Sequence, residues 1–514
     1  MTMSFWLPLI VLYSSLFTGL IIFLLPEDRS GLRTALNMAG ATVKVVGVFV
    51  MAWGVLAQGM TYEVRFAMGL GFDFLLKVDL LSLAFVSLSS NLWFLTTLYA
   101  VGYLEGSPNR SRFFGFFSLC VTASTGVALA GNLITFFIFY EFLTLVTYPL
   151  VIHQGTPQAL AAGRTYLWYA MSAGAVLFLG VVGLQTLVGP FDFVSGGVLS
   201  AMEHVGIWEA RVIFTLLICG LAVKIAFVPL HGWLPVAMVA PAPVSALLHA
   251  VAVVKAGAFG LLRVVQDVYG KDFATHLGVL DPLAALVVAT ILFGSLRALM
   301  QSELKRRLAY STVSQVSYIA LGAVVLGPLA TVGGLVHLVH QGIMKITLFF
   351  CAGIFARSRN IHRIDQMDGL GRTMPMTMAL FTIAALGMVG VPPVAGFVSK
   401  WYLAQAGIQA GQDWVVAVLV LSSLLNAAYF LPILYRAWFR PCSGESGDAG
   451  QGTVFKESRE VSPGACRAWE APWMLLLPTL ATAFFSLAAG VFAGWEWSPL
   501  GVAKIITAGR GAFP

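Results

Sequence analysis

Long apolar stretches broken by short polar ones recur from one end of this chain to the other. Phe5–Leu25, Leu80–Val101, Val212–Phe227, Trp414–Leu434 and Trp473–Phe492 are examples. Runs of this kind suit helices crossing about 30 Å of hydrocarbon. None alternates apolar and polar residues at a period of two, which a membrane barrel strand would require. At roughly 35 residues per span and loop, the chain holds about 14 spans. The expected fold is therefore an all-α, polytopic membrane protein. The first run lacks a basic leader and a small-residue cleavage site, so it is expected to be a permanent helix and not a signal peptide.

Composition supports this reading. Of the 514 residues, 59% are hydrophobic and 10% charged, against about 25% charged in soluble domains. The net charge of +7 would point to nucleic acid in a soluble protein. Here the positive-inside rule accounts for it. Arginine and lysine gather at Asn109–Arg112, Arg297–Arg307, Arg357–Arg372 and Arg436–Arg440, which are the loops expected after helices 3, 9, 11 and 13. Those loops are placed in the cytoplasm and both termini on the outer side. Asp365 and Asp368 in the third cluster read as a solvated cytoplasmic turn. Pro441–Ala471 reads as a polar cytoplasmic loop, too short to fold alone. Cys120, Cys219, Cys351, Cys442 and Cys466 are scattered, with no C-x-x-C pair. No metal, iron–sulfur, nucleotide or haem pattern is present, so no cofactor is expected from this chain.

With so few charges, those inside apolar runs carry the information. An ionisable residue at mid-membrane costs at least about 2.5–3.5 kcal/mol on insertion scales and marks a candidate functional site. Glu141 lies in ITFFIFYEFLTLVTYPL, with Thr144 and Tyr148 on its face. Lys224 lies in LLICGLAVKIAFVPLHGWLP, where Pro229 and Pro235 should break the helix just after it. Lys224 is the natural partner of Glu141. The alternatives are a fixed structural ion pair or a lysine that snorkels to the surface. Lys255 sits in the next run, beyond Pro241 and Pro243. His249 is six residues earlier and on another face, either as a packed, hydrogen-bonded histidine or as a relay member. In LVHLVHQGIMKITLFF, His337, His340, Gln341 and Lys345 form one polar stripe on an oily helix, as a hydrated relay needs. Lys400 in MVGVPPVAGFVSKWYLA follows a break at Pro392, Pro393 and Gly396, whereas Lys224 precedes its break.

Two proline-interrupted segments in corresponding halves point to inverted repeats with sites at mid-membrane. The expected organisation is N-terminal helices over 1–113, one five-helix repeat over 114–263, a second over 279–440, the polar loop 441–471, and a last helix and tail over 472–514. Buried titratable groups separated by waters form what a proton path needs.

The runs K-x-x-x-x-P-L-H-x-W-L-P at Lys224–Pro235 and A-P-x-P-V-S-A-L-L-H at Ala240–His249 resemble the antiporter-like membrane-subunit family. That family comprises the Mrp cation/proton antiporter large subunits and the related subunits of complex I and energy-converting hydrogenases. YEFLTLVTYPL at Tyr140–Leu150, KRRLAYSTVSQ at Lys305–Gln315, KITLFFCAG at Lys345–Gly353 and GFVSKW at Gly396–Trp401 extend the resemblance over most of 114–440. It implies a 14-helix core of two inverted five-helix repeats and a charged axis at Glu141, Lys224, Lys255, Lys345 and Lys400. Lys400 and Gln315 resemble the Mrp D subunit. The family often has a histidine where this chain has Gln341, so the central relay would pass through water, His340 or His337. His231 joins His249, Gln315 and Gln341 as secondary path candidates.

The resemblance implies a proton-translocating subunit of a multisubunit cation/proton antiporter in a prokaryotic inner membrane, not an enzyme in itself. Its partners would be other membrane subunits, lipid, protons and Na⁺ or K⁺. The alternative is a proton-pumping subunit of a redox-driven complex. A non-conducting scaffold is the rival outside transport, set against the complete set of axis charges.

Overall fold

The computed structural model describes residues 3–69, 72–201, 205–441 and 470–508. The polar loop expected over 441–471 therefore lies almost wholly outside the described residues, as do Cys442 and Cys466. The chain is a bundle of membrane helices. Its first three long helices are α1 (Met3–Phe23), α2 (Ser30–Gln58) and α3 (Leu80–Tyr103). Five spans follow: α4 (Arg110–Leu129), α5 (Leu133–Val151), α6 (Pro157–Val188), α7 (Ile207–Ile225) with the short α8 (Trp233–Val236), and an irregular helix. That last span is α9 (Ala242–Ala246) and α10 (Val253–Arg263), joined by a π-helical turn at Leu247–Val251 and prolonged by another at Val264–Tyr269. After the short α11 (Lys271–His276) come α12 (Leu280–Leu299), α13 (Leu304–Val324) and α14 (Pro328–Arg359). The short α15 (Leu370–Thr373) precedes the interrupted pair α16 (Pro375–Val389) and α17 (Ala395–Gln409). Then come α18 (Trp414–Phe439), α19 (Trp473–Val491) and a short α20 (Pro499–Ala508).

Among the described residues, eleven helices are long and apolar enough to cross a membrane unaided. Three further spans bring the bundle to the expected count. Helices α7 and α13 carry Glu209, Arg211 and Lys224, or Lys305, Arg306 and Arg307, and α16 with α17 is one span cut in two.

One element departs from the all-α expectation. Strands β1 (Tyr62–Gly69) and β2 (Phe72–Val78) pair antiparallel, with Tyr62 opposite Val78 and Phe66 opposite Phe74. This hairpin caps the end of the bundle where α2 ends and α3 begins. Arg65 ties it to Asp192 in the loop after α6. Asp79 follows it, accepting the Ser82 amide at 2.7 Å as the N-cap of α3 and binding Arg263 at the end of α10.

The basic clusters collect at the opposite end. Arg357 donates to the carbonyls of Tyr103 and Glu105, the backbone at Glu303 pairs with that at Arg363, and Arg436 binds Asp368 at 2.8 Å. Asp368 is thus a partly buried tie between the loop after α14 and the end of α18, not the freely solvated turn expected. Asp365 does lie exposed, paired with Arg363 at 2.9 Å.

In both five-helix stretches the fourth span is the interrupted one. Because α4 starts at the basic end and α12 at the hairpin end, the two stretches run in opposite senses.

Candidate functional site

The first break lies just past Lys224, where proline excludes helix. Helix α7 stops at Ile225, and Ala226 takes a left-handed conformation with φ 65°. The Phe227 amide closes the helix end on the Ala222 carbonyl at 2.9 Å. The Val223 carbonyl accepts the Ala226 amide at 3.0 Å and the Trp233 indole N–H at 2.7 Å. Lys224 itself is 1% exposed. Its ammonium reaches across to α5, donating to the Tyr140 carbonyl and lying 3.3 Å from the centroid of the Tyr140 ring.

Glu141 is one residue further along α5, within electrostatic reach of Lys224. The expected Glu141–Lys224 ion pair is not closed: no contact within 4 Å joins them, and Glu141 Oε1 is buried without a protein partner. A Cβ on Gly174 of α6 would lie 2.7 Å from the carboxyl carbon and both oxygens of Glu141. The carboxylate therefore packs against α6, and Tyr140 occupies the place beside the lysine.

Lys255 is fully buried on α10, just after the irregular π turn. It donates to the Leu338 carbonyl of α14 at 2.7 Å. One turn of π-helix inside an α-helix is frequent at functional sites. A Cβ on Gly257 would meet the backbone of Lys224 and Ile225 at about 3 Å, so the first break and the Lys255 helix are in contact.

On α14 the stripe is buried along its whole length, with His337, His340, Gln341 and Lys345 at 0% exposure. His337 Nδ1 lies 2.9 Å from Ser399 Oγ on α17, and Nε2 lies 3.0 Å from the Gln315 carbonyl on α13. A carbonyl only accepts, so neutral His337 carries its hydrogen on Nε2 and takes the Ser399 hydroxyl proton at Nδ1. The Lys255 and Lys400 ammonium groups both lie within electrostatic reach of this ring. Lys345 points to α13, donating to the Leu308 carbonyl at 3.1 Å and to Ser311 Oγ. The ring nitrogens of His340 and the side-chain amides of Gln341 and Gln315 have no protein partner.

His249 stacks on Phe349 with centroids 4.6 Å apart, and neither ring nitrogen has a protein partner. His249 is therefore packed on an aromatic ring, with no protein hydrogen bond to either nitrogen. His231 is only half-buried within the first break, against Phe293 at 5.0 Å, and its Nδ1 is likewise unpartnered.

The second break is built differently. Helix α16 ends at Val389, and Gly390 turns the chain at φ 95°. Two carbonyls of that helix end, Met388 and Val389, accept from Lys400 Nζ at 3.0 and 2.8 Å, and Ser423 Oγ of α18 does so at 2.9 Å. Asn426 Nδ2 shares the Met388 carbonyl at 3.2 Å, while its Oδ1 accepts from the Tyr429 hydroxyl at 2.7 Å.

The structure thus joins Lys224 to Tyr140 beside Glu141, Lys255 to α14, His337 to α13 and α17, and Lys400 to the end of α16. Residues missed in the sequence are Tyr140, Ser311, Ser399 and Ser423, which hold ionisable groups, and Asn426, which shares the Met388 carbonyl with Lys400 and accepts from Tyr429. Neutral holders leave no charge signature, although Tyr140, Ser311 and Ser399 stand inside motifs. Lys44, fully buried on α2, is an omission with a legible signal, since it interrupts the apolar run ATVKVVGVFVM.

Residues 130–426 match the family model described as NADH:quinone oxidoreductase/Mrp antiporter, TM. Residues 66–114 match the model for the N-terminus of complex I chain 5. This chain belongs to the NADH:quinone oxidoreductase/Mrp antiporter membrane family. NADH-quinone oxidoreductase subunit N of Desulforudis audaxviator is 36% identical over 77% of this chain and 77% of its own length. Subunit L of Mycobacterium tuberculosis is 31% identical, over 82% of this chain and 63% of its own length. A probable K(+)/H(+) antiporter subunit of Rhizobium meliloti is also 31% identical, over 74% of this chain and 38% of its own length. A chain of the Mrp complex from Dietzia sp. has the same fold, with a TM-score of 0.83 at 23% identity over 99% of this chain and 100% of that one.

Proposed function

We propose that this chain is a proton-translocating subunit of a multisubunit cation/proton antiporter, resembling the D subunit, with Na⁺ or K⁺ as the other ion moved by the assembly. The observation that carries the reading is the row of buried ionisable groups from α5 to α17. Lys224, Lys255, Lys345 and Lys400 are held by carbonyls, hydroxyls and a ring, and not locked by carboxylates. Unpartnered polar atoms of His249, His340, Gln341 and Gln315 lie along the same row. Such atoms are costly in a dry core, so the row is read as a hydrated seam.

The five-helix stretches over 114–263 and 279–440 act as inverted repeats, each contributing one break. Closing Glu141 onto Lys224 holds the lysine protonated. Opening the pair, as in this structure, releases a proton towards Lys255, the α14 stripe and Lys400. With Gln341 unable to carry a proton as an acid, His337 and His340 serve the middle of the path. Two ammonium groups a few ångströms apart at an effective dielectric of about 20 repel by several kcal/mol. Moving one charge across about 100 mV takes about 2.3 kcal/mol, so switch and load are of similar size. The basic end faces the cytoplasm of a prokaryotic cell and both termini lie outside.

The 36% identity to a quinone oxidoreductase chain favours a second reading, a pumping subunit of a redox-driven complex. Purification of the native assembly separates the two. Companion chains carrying iron–sulfur motifs support the redox reading. Small membrane proteins as the only companions, together with cation-dependent proton movement in vesicles, support the antiporter.

A further inference from the structure

Lys44 is a buried lysine that the axis does not use. It sits midway along α2 and is 0% exposed. Its ammonium donates to Thr125 Oγ1 of α4 at 2.8 Å and stands 5.6 Å from the centroid of the Trp93 ring on α3. An ammonium has three donors, and no carboxylate lies within 4 Å of this one among the described residues. The buried polar side chains of α1, Ser15 and Thr18, are hydroxyls, and Ser15 meets Thr122 of α4 at 2.8 Å. Cys120 on α4 faces Lys224 instead, and Arg33 on α2 is about 16 Å away along the helix.

The surroundings are organised into a column. Arg33, Asn37 and Lys44 of α2 meet Ser111, Ser118 and Thr125 of α4 at 2.8, 3.3 and 2.8 Å. Both helices start at the basic end of the bundle. There the half-exposed Glu27 lies 3.9 Å from Arg33 and accepts the Ser111 amide at 2.9 Å. At the inner end Ser124, adjacent to Thr125, meets Ser89 of α3 at 3.3 Å. One turn from Ser89, Phe85 packs on Phe259 with centroids 4.9 Å apart, and Phe259 is one turn from Lys255.

We propose that Lys44 is a proton-binding site on a side branch that runs from the basic end, between α2 and α4, to the Lys255 part of the axis. The proposal rests on the reading of the axis as a proton path. A purely structural amine at this depth would be expected to meet a carboxylate, because a mid-membrane charge is costly unless paired or functional. Loading moves a proton from water at the basic end onto the neutral amine, and unloading returns it from the ammonium to water. Only N–H and O–H bonds are made and broken.

The test uses the intact complex in vesicles, with proton uptake read by an entrapped pH dye and assembly by the yield of purified complex. Lys44→Met should lower uptake about tenfold, below the roughly 100-fold or more of a group on the main path because it serves a side branch. Lys44→Arg should do the same, because a guanidinium keeps the charge and donors but does not release its proton. Thr125→Val, which removes one hydroxyl at constant volume, should lower uptake about threefold. Parental uptake in an assembled Lys44→Met or Lys44→Arg complex overturns the proposal. If neither assembles, unchanged uptake in Thr125→Val overturns it. Loss in Lys255→Met with parental uptake in Lys44→Met rejects the branch alone, and parental uptake in Lys255→Met rejects the axis.

Discussion

The two interrupted helices place a lysine at mid-membrane in opposite ways. Lys224 precedes its break and takes no hydrogen bond from it; the Val223 carbonyl accepts the Ala226 amide and the Trp233 indole. Its ammonium turns instead to a neighbouring helix, where a ring and a carbonyl hold it beside a carboxylate that is near but unbonded. Lys400 follows its break and is solvated by it, on two carbonyls at the end of α16 and one serine. A helix C-terminus carries a partial negative charge that favours a cation. The first lysine therefore faces an unbonded acid, and the second rests on fixed dipoles. On the proposed function, this difference would give switching to the first break and steady holding to the second.

Outside the Glu141–Lys224 pair, removing the lysine held at the second break should show the largest effect. Lys400→Ala is expected to lower proton uptake about 100-fold in vesicles of the assembled complex, with normal yield. An equal uptake to the parent would remove the second break from the path. Gly390→Ala should cost about tenfold, because an alanine strains at φ 95° and its Cβ would lie 2.9 Å from Lys400 Cδ. On the switching side, Gly174→Ala crowds the Glu141 carboxylate and should change uptake about threefold at unchanged assembly, shifting the carboxylate relative to Lys224. The smallest effect expected is for Trp233→Phe. It removes the indole hydrogen bond to the Val223 carbonyl and leaves the Ala226 amide on it, at a stability cost of about 0.5–1.5 kcal/mol read by thermal unfolding of the purified complex. An unchanged melting temperature would mean the first break is closed by some other contact.

Much of this was legible in the sequence because membrane charges are rare and prolines are unambiguous. Lys224, Lys255, His337, Lys345 and Lys400 each stood out against an apolar background, and Pro229 and Pro393 marked the breaks. What the pattern could not carry was the identity of the holders. Tyr140, Ser311, Ser399 and Ser423 are neutral residues whose roles come from tertiary contact between helices. The hairpin at Tyr62–Val78 was hidden for another reason: most of β1 is exposed, so no buried alternation marks it. The expected Glu141–Lys224 pair came from charge alone, which cannot foresee Gly174 opening a place for the carboxylate on α6. Lys44 was overlooked although its apolar run announced it by the same rule that selected the others.

The decisive measurement is proton uptake by vesicles holding the purified assembly with Lys224→Ala, beside Glu141→Ala and the parent. Coupled uptake is expected to disappear in both variants while the complex assembles in normal yield. Uptake at the parental rate in either variant would contradict a switch built from these two residues.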